Sequence, residues 1–343
     1  MNVKRKLSSN SHLIINRAED FNGDYNNTHL VNEEICLQEG VLEGCYTSKA
    51  LDTLEFEEAV GSWNCITSPT QTVEFKVSVC VNGAWSKYLS YGEWGLGKEN
   101  YYYNDEDEIA SIKVDEIIVN NQQLANKIKY RVILRRSTVN EDSPRFRLAA
   151  ITFKIPNYNY PVDVTGLPNS VDYDVPLLHQ YDVGVVGNVI CSATTSTMLL
   201  KFKGHDFSKN AKEYSKIKEW GEFEHGYIAT LVADPGHNAP TYGNWTYNMA
   251  TIGALGESAY YSKMYSWEEL QYHLATVGPV GIGIRGYFGV YTASGHILIC
   301  RGYRIEGDKT IVICNDPAIK GVYYEVPLDV FKGAWKGSVY IVE

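Results

Sequence analysis

Apolar and polar residues alternate along TVEFKVSVCV, residues 72–81, and this alternation is the strongest constraint on the fold. A period of two places every second side chain on one face, so the stretch predicts a strand with one buried face. The NGAW that follows predicts a hairpin turn. Similar runs recur as SIKVDEIIV, KIKYRVILRR and FRLAAITFKI. Short strands at this spacing predict an antiparallel β-sandwich domain over residues 31–155.

The pattern changes after a proline-containing stretch, residues 156–175, which predicts an interdomain linker. Beyond it, helices are predicted at CSATTSTMLLKF, SWEELQYHLAT and PLDVFKGAW, and strands at PVGIGI, HILICRGY, TIVICNDP, GVYYEVP and GSVYIVE. Helices followed by antiparallel strands indicate an α+β domain over residues 176–343. Residues 1–30 are polar and rich in asparagine and serine, which predicts a loosely held N-terminal tail.

Charge and hydrophobicity exclude several classes of partner. Lysine and arginine number 31 against 41 aspartates and glutamates, so the net charge is −10, and neither nucleic acid nor an anionic membrane surface is an expected partner. No apolar run approaches the roughly 20 residues that span a bilayer. The N-terminus lacks an apolar signal-peptide core, so we expect a cytoplasmic protein as written, or a secreted or cell-surface one if the native N-terminus differs. The sequence indicates no oligomeric state.

The seven cysteines form no CxxC pair, and no cluster of cysteine and histidine has the spacing of zinc ligands. We therefore predict no metal and no cofactor. Cys300 and Cys314 lie inside strand-like runs and are expected to be buried thiols. An odd number of cysteines cannot all pair within one chain, which fits a reducing environment best.

Cys191 stands where a loop meets the first predicted helix. One interpretation is a buried small apolar residue, as most unpaired cysteines are. The other is a nucleophile, because a helix N-terminus and a neighbouring imidazole lower the pKa of a thiol. The threonines at 194, 195 and 197 are weak helix formers, so the helix itself depends on its apolar second half, MLLKF.

Three further residues complete a candidate catalytic set. His296 begins a strand in ASGHILICRGY, and Asp316 ends the next one in CNDP. If the RIEGDK hairpin joins those strands, the carboxylate lies beside the imidazole and fixes its tautomer. Gln180, eleven positions before the cysteine, offers an amide that could stabilise an oxyanion together with the Cys191 N–H.

The segments VPLLHQYDVGVVGNVICSATTSTMLLKFKG, GNWTYN, SGHILICRGY and CNDPA resemble the bacterial C39-like family of papain-fold cysteine peptidases, in the branch not fused to a transporter. The resemblance covers about residues 175–343, and a β-rich front half recurs in similar two-domain members. It implies that Gln180 is the oxyanion donor, Cys191 the nucleophile, His296 the general base and Asp316 its orienting partner. Ala193 departs from the proline that relatives often carry after CS, which touches the helix start rather than the chemistry.

Several weaker signals complete the interpretation. Trp245, in a predicted loop, is expected to form a cleft wall, with Ser192 and Gly295 as further substrate-binding residues. GIGIRG fits a dinucleotide-binding pattern, but no helix follows it, so we set that function aside. The tryptophans of the front half, Trp63, Trp85 and Trp94, are expected to pack in a core rather than to bind sugars.

The resemblance implies hydrolysis of peptide bonds in a peptide or protein substrate, through a thioester acyl-enzyme. Two alternatives remain open at this point. The same residues could serve an amidase or acyltransferase on a non-peptide or cell-wall substrate, or the protein could be a non-catalytic binding protein acting through its β-sandwich. Because every candidate catalytic residue lies after residue 176, the sequence also predicts that residues 170–343 keep activity alone.

Overall fold

The computed structural model describes residues 12–98, 100, 104–159, 161–215, 222–232 and 242–343. The strands, in chain order, are β1 (Leu13–Asn16), β2 (Asp24–Asn26), β3 (Thr28–Val31), β4 (Glu34–Leu37), β5 (Glu43–Thr47), β6 (Leu51–Phe56), β7 (Glu58–Ile66), β8 (Gln71–Val81), β9 (Ala84–Trp85), β10 (Leu89–Trp94), β11 (Asp105–Glu106), β12 (Ala110–Lys113), β13 (Glu116–Val119), β14 (Ala125–Arg136), β15 (Arg145–Lys154), β16 (Ser170–Asp172), β17 (Ala259–Lys263), β18 (Val280–Tyr287), β19 (Thr292–Glu306), β20 (Lys309–Asn315), β21 (Tyr324–Pro327) and β22 (Trp335–Val342). The α-helices are α1 (Cys191–Phe202), α2 (Ser208–Tyr214), α3 (Glu224–Val232), α4 (Trp245–Ala254), α5 (Trp267–Thr276) and α6 (Leu328–Ala334).

The chain divides into two compact units. The first comprises Met1–Asn157 and Gly236–Lys263, and the second comprises Tyr158–Pro235 and Met264–Glu343. The predicted domain boundaries are therefore wrong in one respect, because a segment from the rear half of the sequence belongs to the front unit. Within the described part of the chain, no helix combines the length and apolar character needed to cross a membrane.

Two antiparallel sheets form the first unit. One runs β11–β12–β13–β7–β15–β4–β3 with β1 on β15, and the other runs β10–β8–β14–β5–β2 with β6 on β14 and β9 on β8. Aromatic rings from both sheets meet between them: the ring centroids of Trp63 and Phe75 are 5.5 Å apart, and those of Phe75 and Phe146 are 6.3 Å apart. The sheets therefore share a core, as the alternating pattern predicts.

The front-half tryptophans mostly pack inside this core. Trp63 and Trp94 have no exposed surface, as predicted, whereas Trp85 is partly exposed and lies under the ammonium of Lys129. The predicted tail is wrong for residues 12–30, because β1 and β2 lie in that range and β3 begins there. Leu13 and Phe21 are buried there, which fixes this stretch despite its polar composition.

The rear-half segment that belongs to the first unit, Gly236–Lys263, is held to the sandwich by hydrogen bonds. The amide of Asn64 on β7 donates to the Ala259 carbonyl at 2.7 Å and accepts from the Ala259 N–H at 3.0 Å. Arg147 on β15 donates to the Gly253 carbonyl at the end of α4. The Asn64 bonds satisfy both backbone groups of Ala259, and the Arg147 bond adds a side-chain donor to the carbonyl end of α4.

We expect Asn64→Ala to lower the free energy of unfolding by about 2–4 kcal/mol. The substitution removes a fully buried amide and so leaves the N–H and the carbonyl of Ala259 without a partner. Urea denaturation of the full chain measures this change. Asn22→Ala is the matched control, since Asn22 is exposed and should change stability by less than about 0.5 kcal/mol. Equal effects of the two substitutions would contradict the prediction.

The second unit is α+β, as predicted. Its sheet runs β22–β18–β19–β20–β21 in antiparallel order, and β16 pairs with β19. The predicted linker is thus partly a strand, because β16 lies at Ser170–Asp172. The predicted helices at residues 191–202 and 266–276 are present, and Ser266 accepts the Glu269 N–H at 3.1 Å as the N-cap of α5.

Candidate active site

Cys191 is the first residue of α1, and its side chain is partly exposed. The threonines that weaken the helix prediction are accommodated by hydrogen bonds: Thr194 donates to the Ile190 carbonyl at 2.9 Å and Thr197 to the Ala193 carbonyl at 2.8 Å. Each of these bonds reaches back four residues along the helix, so the hydroxyls are satisfied where they are buried. The helix that the sequence only weakly favours is therefore compatible with its polar first half.

The helix is fixed against the strand that carries His296. Thr195 donates to the Ile297 carbonyl of β19 at 3.0 Å. A Cβ on Gly281 of β18 would lie 3.1 Å from the Thr195 methyl and 2.9 Å from Tyr340, which is closer than a well-packed contact allows. This close approach explains a glycine of the GIGIRG pattern without any nucleotide.

His296 lies near the start of β19, and Asp316 follows the last residue of β20. The two strands pair antiparallel through the hairpin at residues 306–309, as predicted. His296 Nε2 lies 2.8 Å from Asp316 Oδ1. The carboxylate is fully buried and also accepts the Ala318 N–H at 2.8 Å, so its orientation is fixed.

Cys191 and His296 act on each other as hydrogen-bonding partners, and the backbone N–H groups of Ile297 and Ser192 also stabilise the Cys191 thiolate. Because Nε2 of His296 is bonded to Asp316, Nδ1 is the nitrogen that faces the sulfur. The structure therefore brings together Cys191, His296 and Asp316.

The pKa values within this group favour charge separation. Burial raises the pKa of Cys191, but the bond to His296 and its charge outweigh burial and leave the pKa below that of an ordinary thiol. Burial lowers the pKa of His296, yet its bonds to Asp316 and Cys191 raise it to about 9. Burial raises the pKa of Asp316, and the His296 bond and charge lower it below its usual value. Near pH 7 the arrangement thus favours a thiolate beside an imidazolium.

Gln180 begins a 3-10 segment, Gln180–Val189, that leads directly to Cys191. Its backbone N–H donates to the Pro317 carbonyl at 2.8 Å, which ties it to the residue after Asp316. Its side-chain Nε2 donates to the Gly187 carbonyl at 2.7 Å, which uses one of its two N–H bonds. A Cβ at Gly187 would lie 2.7 Å from the Gln180 carbonyl oxygen, so only glycine permits this close turn. The role of Gln180 as oxyanion donor stays a prediction.

The three predicted substrate-binding residues lie in different places. The Ser192 side chain is fully buried and its hydroxyl lies 2.7 Å from the Tyr340 hydroxyl, and its role in substrate binding stays a prediction. Gly295 is exposed beside His296, and its role stays a prediction. Trp245 begins helix α4 in the first unit, not a loop, and stacks on Tyr261 with ring centroids 4.7 Å apart. Asn244 caps that helix by accepting the Tyr247 N–H, and the role of Trp245 in binding stays a prediction.

Tyr291 is a residue of this group that the sequence did not indicate. Its hydroxyl donates to Asp316 Oδ2. Its ring meets His296 edge-on, with centroids 6.1 Å apart and planes at 80°. The only signal in the sequence is that a tyrosine stands five positions before the histidine, in a turn.

The remaining cysteines lie in other surroundings. Cys300 and Cys314 are buried in β19 and β20, as predicted, and burial raises the pKa of Cys314 well above its usual value. Burial also raises the pKa of Cys36. All seven cysteines are unpaired in the structure.

A cavity of about 580 Å³ lies elsewhere in the second unit. It is lined by Asp174, Val175, Pro176, Leu177, Arg301, Asn315, Gly321, Val322 and Tyr323, so none of the four predicted catalytic residues contributes to it. Arg301 is already bonded to Asp172 at 2.6 Å and to Asn315 at 3.3 Å. Its guanidinium is therefore already paired with one carboxylate, that of Asp172.

Two family models match this chain. Residues 173–341 match the Peptidase C39-like family, and residues 25–153 match the peptidase C39 N-terminal domain. A search among curated proteins found no match.

Two solved structures are among those that match part of this chain. A chain from a study of the mite allergens Blo t 1 and Der p 1 is 16% identical, with a TM-score of 0.30, over 54% of this chain and 74% of that one. Digestive procathepsin L 3 of Tenebrio molitor is 14% identical, with a TM-score of 0.31, over 54% of this chain and 73% of that one.

Proposed function

Since the chain is a C39-like cysteine peptidase with a C39 N-terminal domain, we propose that it cleaves peptide bonds through Cys191, His296 and Asp316. One observation carries this proposal. The Cys191 thiol, at the start of α1, has the His296 imidazole as its hydrogen-bonding partner. The other ring nitrogen of His296 lies 2.8 Å from the buried Asp316 carboxylate. This is the arrangement that keeps a sulfur nucleophile ionised near neutral pH.

In the first step the Cys191 thiolate attacks the peptide carbonyl carbon, and the carbonyl π electrons move onto oxygen. The backbone N–H of Cys191, at the open end of α1, and the second N–H of Gln180 Nε2 are suited to stabilise that oxyanion. His296 gives its Nδ1 proton to the leaving nitrogen as the C–N bond breaks. A thioester and a free amine result.

In the second step His296 Nδ1, now neutral, takes a proton from water as that water attacks the thioester carbonyl. The C–S bond breaks, and a carboxylic acid leaves while Cys191 returns to the thiolate and His296 to the imidazolium. Asp316 holds the ring through Nε2 in both steps, so Nδ1 remains the nitrogen that exchanges the proton.

The ionised thiol can be tested without knowing a substrate. At about pH 6, a limiting dose of iodoacetamide should alkylate Cys191 ahead of the other six cysteines, because His296 stabilises its thiolate and four of the others are buried. His296→Ala should slow the alkylation of Cys191, since it removes the cation that stabilises the thiolate. Peptide mapping by mass spectrometry measures all seven sites together. Cys45, which is also partly exposed, is the internal comparison, and equal alkylation of Cys191 and Cys45, unchanged in His296→Ala, would contradict the proposal.

A further inference from the structure

We infer that Tyr291 is a positioning residue: its hydroxyl orients the Asp316 carboxylate and thereby holds His296 in line with Cys191. This inference rests on the proposed function and extends it to a residue outside the Cys–His–Asp group. It assigns Tyr291 no contact with substrate, since the residue acts through Asp316.

The fold delivers Tyr291 to this place through a tight hairpin between β18 and β19. The Phe288 N–H donates to the Tyr291 carbonyl at 2.8 Å, and Gly289 supplies the positive φ of 83° that the turn requires. Phe288 is fully buried and packs against Phe331. The buried Phe288 side chain therefore anchors the hairpin, and Tyr291 lies in this fixed turn rather than in a loose loop.

The two oxygens of Asp316 have separate partners. Oδ1 faces His296 Nε2 and the Ala318 N–H, each at 2.8 Å, while Oδ2 accepts from Tyr291. A fully buried carboxylate keeps its charge only if its oxygens are satisfied. The Tyr291 hydroxyl is thus the side-chain donor that fixes which oxygen is presented to the imidazole.

Tyr291 stays a donor over the working pH range. Burial and the neighbouring Asp316 charge raise its pKa, so the hydroxyl remains protonated. The other titratable groups that act on it are Cys314 and Tyr324, and burial raises the pKa of each. Both are neutral near pH 7, so the charges around Tyr291 are those of Asp316 and, beyond it, His296.

Loss of the hydroxyl should therefore weaken the support for the imidazolium. Without a donor at Oδ2, the buried carboxylate is free to turn or to take up a proton, and its bond to Nε2 becomes weaker. The pKa of His296, which that bond raises to about 9, should fall. A less firmly held imidazolium also stabilises the Cys191 thiolate less, so the pKa of Cys191 should rise.

The test compares the full-length wild type, Tyr291→Phe, Asp316→Asn and the double variant. The rate of Cys191 alkylation by iodoacetamide is followed from pH 5 to pH 10, with peptide mapping as the readout. In the plot of alkylation rate against pH, the titration of His296 gives an inflection on the alkaline side. For Tyr291→Phe we expect this inflection to move down by about one pH unit and the alkylation rate at pH 6 to fall about tenfold. Tyr291→Phe should add nothing in the Asp316→Asn background, because its effect passes through that carboxylate.

Tyr324→Phe is the matched control. It removes a tyrosine hydroxyl bonded to the same hairpin, at the Phe288 carbonyl, without touching Asp316, and it should leave the alkylation profile unchanged. The inference would be overturned if Tyr291→Phe left the alkaline inflection where it is in the wild type. It would also be overturned if Tyr291→Phe had the same effect in the Asp316→Asn background as in the wild type. Either result would leave the proposed function intact. A wild type whose Cys191 alkylates like Cys45 at pH 6 would instead overturn the proposed function, and the inference with it.

Discussion

Cys191→Ala is expected to lower kcat/KM for peptide hydrolysis on the order of 10⁴-fold or more, to the limit of detection. Alanine leaves no atom that can form the thioester, so the two-step route is closed. The loss should be one of chemistry, since Ala at the first position of α1 is a good helix former and retains the fold. A peptide library screened against wild type and Cys191→Ala both finds substrates and measures this difference.

Variants of the partners should form a graded series. His296→Ala removes the group that both stabilises the thiolate and moves the proton, so its effect should approach that of Cys191→Ala. Asp316→Asn keeps the shape but loses the charge, and we expect a loss of about 10²-fold or more. Cys45→Ala, in β5 of the first unit, is the control and should keep full activity. Peptide cleavage that survives in purified Cys191→Ala would refute the assignment of the nucleophile.

The pH profile follows from the same charges. Activity needs the thiolate, so it should rise as the pH rises through the lowered pKa of Cys191. It also needs the imidazolium as proton donor, so it should fall as the pH rises through about 9, the pKa of His296. Measured kcat/KM of the wild type should therefore form a bell whose alkaline limb lies near pH 9, and a profile that keeps rising above pH 9 would contradict the role of His296 as proton donor.

A fragment consisting of residues 158–343 is expected not to fold to a soluble, active form. Helix α4 and strand β17 would be present without the sandwich that they pack against. Tyr247, Met249 and Ile252 are fully buried in the whole chain, and exposing each costs roughly 1.5–3 kcal/mol. This outcome is the opposite of what the position of the catalytic residues in the sequence suggests.

Expression, size-exclusion chromatography and circular dichroism of the fragment test this expectation. The control is co-expression with residues 1–157, which restores the partner strands β7 and β15 and should recover soluble protein. A monomeric, folded fragment that shows the Cys191 alkylation of the whole chain would show that the inserted segment is dispensable for the catalytic unit.

Local features of the sequence account for much of the site. The helix start at Cys191 and the strand end at Asp316 follow from periodicity and from Pro317. Pairing of β19 with β20 follows from a short hairpin, because consecutive strands joined by so few residues have little choice of partner. The residues that these elements carry could therefore be predicted to meet.

Contacts between distant parts of the sequence could not be predicted in the same way. Nothing in GNWTYN or the residues after it indicates that α4 and β17 pack on strands much earlier in the chain, since the deciding bonds come from single polar side chains, Asn64 and Arg147, which lie 195 and 106 residues before their partners. Tyr291 was missed for a related reason. Its hydroxyl donates to one oxygen of the Asp316 carboxylate, and an isolated tyrosine in a turn does not indicate such a hydrogen bond.

The return of residues 236–263 to the first unit also has a consequence for how the protein is made. Strands β1–β15 leave the ribosome well before α4 and β17 do. At roughly 5–20 residues per second, the intervening stretch takes about 4–16 s to synthesise. During that time Trp63 and its neighbours lack the Tyr247 ring that later packs against them. Until α4 and β17 are made, the nascent first unit therefore exposes an apolar face, and this is the form that chaperones would bind. The unit is completed only after Cys191 has been translated.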